Sequence, residues 1–329
     1  MLKFFRTNQL TTSFLFILYL VLLRGSTYVF PELRIAPSTD GGYFTEILMG
    51  LFNGFWSREI AMVLLLSLQA FFLSYLIMEH RLSREVSLFS GVFYLLLSAS
   101  SLWFLPFSGV IVANTFMIFA LWAILNTYRI PNCADTIFNI GFWIAIATLF
   151  EVSYFVFLIW GIFGLNFMRA LKLKEILTVL AGFITPYILL STYFFWIDKY
   201  SFFWKEHLYK NISITQFAFF DNLWLNIGVG IVMLCTLIAV LSSGEYLKKK
   251  NIQSQKRIGV IFLLMLISLG TVIFQTNLEA TTVLVLLIPL SVFMGFTFIN
   301  ISRQAASSIH LIWIVLIIAI QIQSVIFGG

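Results

Sequence analysis

Residues 136–169 have the sequence TIFNIGFWIAIATLFEVSYFVFLIWGIFGLNFMR, an apolar run of 34 residues. A membrane helix needs about 20 residues, so this run is too long for one ordinary span and short for two. Its one carboxylate, Glu151, is costly in lipid and is expected at a turn or in a water-filled cavity. The run therefore predicts a helical hairpin that crosses a membrane twice and turns at Glu151.

Apolar runs of this kind recur along the whole chain. Its residues are 60% apolar, 18% aromatic and only 10% charged, and the mean hydropathy is +0.99. A soluble domain carries about 25% charged residues. We therefore predict an all-α polytopic membrane protein with about 11 transmembrane helices, forming a single integral membrane domain over residues 1–329. The predicted spans are roughly 11–30, 57–78, 86–104, 109–128, 136–150, 152–169, 174–197, 222–242, 257–275, 280–300 and 307–327.

The basic residues indicate how these spans are oriented. The stretch Leu2-Lys-Phe-Phe-Arg6 precedes the first span without a small-residue cleavage site, which predicts an uncleaved start-transfer helix. With the N-terminus inside, 14 of the 20 Lys and Arg residues fall on the inner side. The other six are Arg24, Arg34, Arg58, Lys199, Lys205 and Lys210. This bias follows the positive-inside rule and places the N-terminus in the cytoplasm and the C-terminus in the periplasm of a bacterial inner membrane.

Two predicted outer loops, about 31–56 and 198–221, are longer than tight turns and mix aromatic with charged residues. In residues 43–56 of the first loop, one helical face is shared by Ile47, Leu48, Leu51, Phe52 and Phe55, as in a helix that lies in the membrane interface. The second loop has Phe202-Phe-Trp204 followed by basic side chains. We expect interfacial helices in both loops.

Several classes of protein are disfavoured by the remaining residues. The net charge of +6 is explained by membrane topology, so no nucleic-acid partner is expected. Cys133 and Cys235 fall in a predicted inner loop and inside a span, which argues against a disulfide framework. The three histidines are scattered, so no metal cluster is indicated. No cofactor is predicted, and a requirement for a divalent metal is left open.

Three segments resemble one family of membrane proteins. They are Arg169-Ala-Leu-Lys-Leu-Lys-Glu175, Ala181-Gly-Phe-Ile-Thr-Pro-Tyr187 and Tyr193-Phe-Phe-Trp196. Together with the run Ile144-Ala-Ile-Ala-Thr-Leu-Phe150, they resemble an uncharacterised family of Bacteroidota inner-membrane proteins, a domain of unknown function. That resemblance implies a multi-pass inner-membrane location and carries no activity.

A looser resemblance bears on function. The order of the predicted elements is similar to that in multi-span glycosyltransferases. It runs from a first span through an outer loop with an acidic residue and an interfacial helix to many further spans. A second outer segment carries aromatic and basic residues. Those enzymes take sugars from polyprenyl-phosphate donors, and their first outer loop supplies a catalytic Asp or Glu. The matching stretch here is Ser38-Thr-Asp-Gly-Gly-Tyr-Phe44, which nominates Asp40. The resemblance implies an inverting glycosyltransferase that binds a lipid-linked sugar at the outer leaflet. This chain lacks the soluble outer domain that such enzymes often carry.

The chemistry explains which residues this hypothesis needs. A carboxylate at Asp40 could take the proton from an attacking acceptor hydroxyl. Cationic groups would hold the departing phosphate, and basic or interfacial residues in or beside the two outer loops are the candidates: Arg34, Arg58, Lys205, His207 and Lys210. A second acid, found in many such enzymes, would be one of Glu46, Glu151, Asp221 and Glu279.

The alternative is a non-enzymatic membrane subunit that binds lipid, transports a substrate or assists assembly of a cell-envelope complex. Asp40-Gly41 is also a common turn dipeptide on solvated loops. Arg24, late in the first span, is expected to snorkel outward to the interface, with binding of a lipid phosphate as the alternative. Protein partners, the donor sugar, the acceptor and the oligomeric state are not indicated by the sequence.

Overall fold

A computed structural model of the chain describes residues 10–30, 42–170, 172–205, 207, 223–248, 250–274 and 280–327. These residues form α-helices joined by short turns and 3-10 segments, with no β-strand among them. The α-helices are α1 (Leu10–Leu23), α2 (Gly25–Val29), α3 (Tyr43–Leu51), α4 (Phe55–Glu79), α5 (Phe89–Ser98), α6 (Gly109–Asn126), α7 (Ala134–Phe150), α8 (Phe157–Met168), α9 (Leu173–Trp196), α10 (Tyr200–Trp204), α11 (Leu223–Leu241), α12 (Ser243–Leu247), α13 (Ile252–Phe274), α14 (Leu287–Asn300) and α15 (Arg303–Phe327).

Six described segments are long and apolar enough to cross a membrane: Phe55–Glu79, Gly109–Asn126, Leu173–Trp196, Ile252–Thr271, Val283–Asn300 and Arg303–Gln323. Other apolar helices, such as Ala134–Phe150 and Phe89–Ser98, are shorter. The described part of the protein is therefore all-helical with several potential membrane spans, and the predicted count of about 11 stays a prediction.

Exposed apolar stripes fit this interpretation. On α9, Leu173, Leu177, Ile184 and Ile188 are all exposed. On α15, Leu311, Ile312 and Val315 are exposed as well. Apolar patches of this extent are rare on soluble monomers and mark surfaces that meet lipid or a partner.

The break predicted in the 136–169 run is present. Helix α7 ends at Phe150, and Glu151 is extended, with φ −141° and ψ 107°. A 3-10 segment, Val152–Val156, then leads into α8. Glu151 accepts a hydrogen bond from the Ser153 hydroxyl at 3.0 Å, so the carboxylate has a polar partner at the turn. A polar turn at this position agrees with the prediction from the cost of a carboxylate in lipid.

Glycines set the closest helix packing. Helix α7 packs along α9, and Gly141 and Gly182 lie at their contact. A Cβ on Gly141 would collide with the backbone of Val179 and Phe183, and one on Gly182 with the backbone of Phe138. The absence of side chains lets the two backbones approach, as small residues do between membrane helices.

Helix α5 forms the centre of the bundle. All ten of its residues are buried, because it is largely apolar and is enclosed by α1, α4 and α14. Phe93 of α5 packs against Phe298 of α14 with ring centroids 4.4 Å apart. After α5 the chain runs through a buried irregular stretch to the start of α6.

The bundle has two chemically different ends. We call one the Arg24 end: the end of α1, the start of α4 and the α7–α8 turn lie there. At the other, which we call the basic end, Arg257 donates to the His80 carbonyl (3.4 Å) and Arg169 to the Ile130 carbonyl (2.7 Å). The described basic residues in the segments at this end are Arg81, Arg84, Arg129, Arg169, Lys172, Lys174, Lys248, Lys250, Lys256, Arg257 and Arg303.

Candidate functional site

The start of α3 is anchored on the α7–α8 turn. The Gly42 N–H donates to the Phe150 carbonyl at 2.7 Å, and the Thr45 hydroxyl donates to the same oxygen at 2.6 Å. Gly42 has no room for a side chain, because an added Cβ would collide with the Leu149 carbonyl. Two hydrogen bonds on one carbonyl therefore hold the chain that follows Asp40 directly beside Glu151.

The described parts of the two predicted outer loops meet at this anchor. The Tyr43 ring packs edge-on against Phe194, at 5.2 Å, and against Phe203, at 5.8 Å. The Tyr43 N–H also points to Nδ1 of His207 at 3.4 Å. Tyr43, Phe194, Phe203 and His207 thus share one cluster of rings at the Arg24 end.

His207 is fully buried in that cluster and begins a chain of hydrogen bonds. Its ring stacks on Phe203, with centroids 5.5 Å apart. Nε2 lies 3.3 Å from the Tyr187 hydroxyl, which lies 2.6 Å from the Thr148 hydroxyl. The Thr148 hydroxyl donates to the Ala145 carbonyl. These directions assign the proton to Nε2, since Nδ1 accepts from Tyr43.

The charge state of His207 follows from its surroundings. Burial lowers the pKa of His207 to about 4, so the ring is neutral near pH 7. As placed, both ring nitrogens have protein partners, Tyr43 and Tyr187. To bind phosphate, as predicted, the His207 ring would have to lose its hydrogen bond to one of these two partners. That role stays a prediction.

A buried ion pair lies elsewhere at the same end. Arg24 Nε donates to Glu59 Oε2 at 3.0 Å, and Nη2 donates to Glu59 Oε1 at 2.6 Å. Nη2 also donates to the Leu105 carbonyl at 2.7 Å, whereas Nη1 is buried without a hydrogen-bond partner. Arg24 is only 1% exposed. The expectation that Arg24 snorkels outward is wrong, because Glu59 and Leu105 compensate its burial.

The polar contacts around Arg24 connect distant parts of the chain. Ser26 donates to the Gln321 side chain at 2.5 Å, and Gln321 donates to the Ala99 carbonyl at 3.1 Å. The Tyr28 and Trp56 rings stack with centroids 5.9 Å apart. The first helices, the last helix and the irregular stretch after α5 are therefore joined through one polar layer.

A second buried network crosses the middle of the bundle. Tyr94 donates to Gln69 at 2.8 Å, and Gln69 in turn donates to two acceptors on α6. Tyr154 donates to Asn114 at 2.6 Å, and Asn114 donates to the Leu284 carbonyl at 3.0 Å. Each of these side chains is paired, which is what a structural network requires. Sequence reasoning did not identify it, and isolated polar residues within apolar spans were the available signal.

Five predicted site residues lie outside the described residues: Asp40, Arg34, Lys210, Asp221 and Glu279. The other predicted residues are described and do not form one cluster of charges. Arg58 Nε donates to the Phe52 carbonyl at 2.6 Å. Lys205 is exposed at the end of α10, and Glu46 is exposed in the first turn of α3.

The sequence also left metal binding open. Among the described residues, no group of three or more His, Cys, Asp and Glu side chains is placed to hold a metal ion.

The pair that sequence reasoning missed is Arg24 with Glu59. The signal was available, since both are ionisable residues in or at the edge of predicted spans.

No protein-family model matches this sequence, and comparisons with curated proteins and with solved structures yield no match. Any assignment of function therefore depends on the chemistry of the residues and their arrangement.

Proposed function

We propose that this protein is a multi-pass inner-membrane protein that uses a polyprenyl-phosphate sugar at the outer leaflet, in the manner of a glycosyltransferase. In this proposal the basic end faces the cytoplasm, because Lys and Arg are retained on that side during insertion. The Arg24 end then faces the periplasm, which puts Asp40 at the depth of the outer headgroups.

The observation that carries the proposal is the anchoring of Gly42. Gly42 is bonded to the Phe150 carbonyl and lies against the Leu149 backbone and the His207 ring, beside the aromatic side chains that surround that ring. Asp40 precedes Gly42 by two residues, and two residues span at most about 7 Å. In the proposal, the Asp40 carboxylate therefore acts close to the place where two outer segments and the α7–α8 turn converge.

The proposed reaction assigns one task to each kind of residue. Asp40 takes the proton of the acceptor hydroxyl while its oxygen forms a bond to the anomeric carbon. The bond from that carbon to the phosphate oxygen breaks, and polyprenyl phosphate leaves as an anion with the bonding electrons. Attack opposite the leaving group inverts the anomeric centre. Arg34, Arg58, Lys205 and Lys210 are the cationic candidates for stabilising the departing phosphate.

One observation favours the alternative of a non-enzymatic envelope subunit. The described polar groups at the Arg24 end are bonded largely to one another: Arg24 with Glu59, and His207 with Tyr187. A subunit that binds lipid or organises other proteins needs such internal bonding and no base at Asp40. The two proposals therefore differ in what removal of the Asp40 carboxylate does.

The test is Asp40→Asn in a strain that lacks the chromosomal gene. This change keeps size and hydrogen bonding but cannot accept the proton, and loss of a general base slows catalysis by about 10²–10⁴-fold. We expect normal amounts of protein in the membrane together with loss of the sugar transfer, measured by mass spectrometry of lipid-linked sugars and envelope glycans. Asp40→Glu should retain part of the activity. An Asp40→Asn strain with the wild-type profile, at matched protein level, would leave only the non-enzymatic alternative.

A further inference from the structure

A cleft opens at the basic end, which is the opposite end of the bundle from the proposed site. It lies where the loop after α4, the α12–α13 connection and the end of α14 meet. Its volume is about 420 Å³, within the usual range of small-molecule sites. The lining residues are Arg84, Glu85, Glu245, Lys248, Ile299 and Asn300. An adjoining pocket of about 20 Å³ shares Arg84, Glu245, Ile299 and Asn300 with it and is also lined by Lys250, Tyr246 and Phe296. We call the two together the cleft.

The charges of the cleft favour an anion. Among the described residues that line it, three are cations, Arg84, Lys248 and Lys250, and two are carboxylates, Glu85 and Glu245. Lys250 donates one of its three N–H groups to the Leu82 carbonyl at 2.9 Å. Burial and the charge of Arg84 lower the pKa of Lys250, so these two cations repel each other inside the cleft. A negative group between them would relieve that repulsion.

One wall of the cleft is apolar. Tyr246 is buried with its ring stacked on Phe293 at 5.4 Å, and its hydroxyl is bonded to Thr297 at 2.7 Å. Phe296 and Ile299 continue this wall. A ligand in the cleft would therefore meet cationic donors on one side and a fixed apolar surface on the other, as an esterified phosphate on a lipid does.

We propose that this cleft is a binding site for a phosphate group, held between Arg84 and Lys250. Two sources supply that chemistry: the headgroup of an anionic phospholipid and a soluble phosphate. The position at the ends of potential membrane helices, together with the apolar wall, favours the headgroup. The site is independent of the proposed sugar transfer, because no residue is shared between the two ends.

The experiment uses the full-length protein, purified in detergent and stripped of lipid. One arm adds phosphatidylglycerol and counts bound lipid by native mass spectrometry, and the other titrates inorganic phosphate by calorimetry. We expect the wild type to bind one phosphatidylglycerol. In the Arg84→Gln/Lys250→Gln variant the affinity for this lipid should fall by about tenfold or more, since two charge-assisted contacts are lost. Lys174→Gln, an exposed lysine at the same end outside the cleft, is the matched control and should bind as the wild type does.

A second variant, which is expected to bind more tightly, distinguishes a direct effect on the cleft from misfolding. Glu245→Gln removes a negative charge from the cleft, so it should tighten binding a few-fold. Binding of inorganic phosphate alone, weakened by the double substitution, would support the site and identify a soluble ligand. The proposal is overturned if neither probe binds the wild type, or if the double variant and Glu245→Gln both bind with wild-type affinity.

Discussion

Arg24 and Glu59, 35 residues apart in the chain, form a two-point ion pair in which Nη2 and Oε1 are 2.6 Å apart. The side chains are 1% and 11% exposed, so both charges have been removed from solvent. Each charge is tolerated only because the other is present. The pair joins the end of α1 to the start of α4 and, through the Leu105 carbonyl, to the irregular stretch after α5.

Removing one member of this pair should destabilise the fold. Glu59→Gln leaves the Arg24 guanidinium buried without a counter-charge, which typically costs about 3–5 kcal/mol. The measurement is denaturant unfolding in detergent micelles. The matched control is Asp135→Asn, an exposed carboxylate at the start of α7, with an expected cost under about 1 kcal/mol. The double change Arg24→Met/Glu59→Met should recover most of the loss, because no buried charge remains. Equal stability of Glu59→Gln and wild type would contradict the pairing.

The contact between α7 and α9 should not accept a methyl group. Gly182→Ala would push a Cβ against the Phe138 backbone, and overpacking of this kind costs about 1–3 kcal/mol. Gly230→Ala in α11 is the control, since no atom lies within 4 Å of its added Cβ. That change should be neutral or stabilise by up to about 1 kcal/mol, because Ala is the better helix former. A Gly182→Ala protein as stable as the Gly230→Ala protein would rule out the close approach of the two helices.

The buried His207 predicts a pH dependence of stability. Burial holds the pKa of folded His207 near 4, below the value of about 6.5 in an unfolded chain. The unfolded chain therefore binds the proton first as pH falls. The contribution of the neutral ring is complete above about pH 6.5 and declines toward pH 4, by up to about 1.4 kcal/mol per pH unit.

His207→Gln should reduce this slope, measured as unfolding free energy between pH 7 and pH 5. The slope should not vanish, because burial and the charge of Arg257 also lower the pKa of His80 to about 4. Tyr187→Phe removes the hydroxyl beside Nε2 and keeps the imidazole, so its slope should persist. An unchanged slope in His207→Gln would show that the ring titrates normally.

The proposed orientation can be tested with single cysteines. In a background where Cys133 and Cys235 are replaced by alanine, Asn53→Cys marks the Arg24 end and Asn251→Cys marks the basic end. Both positions are exposed. On intact spheroplasts an impermeant thiol reagent should label Asn53→Cys and leave Asn251→Cys unlabelled until the membrane is opened. Labelling in the reverse pattern would place Asp40 in the cytoplasm and exclude transfer at the outer leaflet.

Much of the helical framework could be predicted from local composition. The break at Glu151 follows from one carboxylate in a 34-residue apolar run, and the start of α3 follows from the pattern at Ile47, Leu48 and Leu51. Both features depend on the free energy of transferring a short segment from water to lipid. The residues of that segment determine this free energy. Asp40 was nominated as the candidate base by the resemblance to multi-span glycosyltransferases, and its role stays a prediction.

The partners of the buried polar groups could not be predicted in this way. Arg24 was expected at the interface and is enclosed, because Glu59 from another helix neutralises it. His207, whose role in phosphate binding stays a prediction, is packed between Phe203 and Tyr187. The amino-acid sequence by itself determined that the chain forms apolar helices, where one of them breaks and which loops concentrate positive charge, since these depend on local transfer free energies. Only the tertiary structure decided which charges and hydroxyls meet, because a buried polar group is stable only beside a partner that arrives from a distant part of the chain.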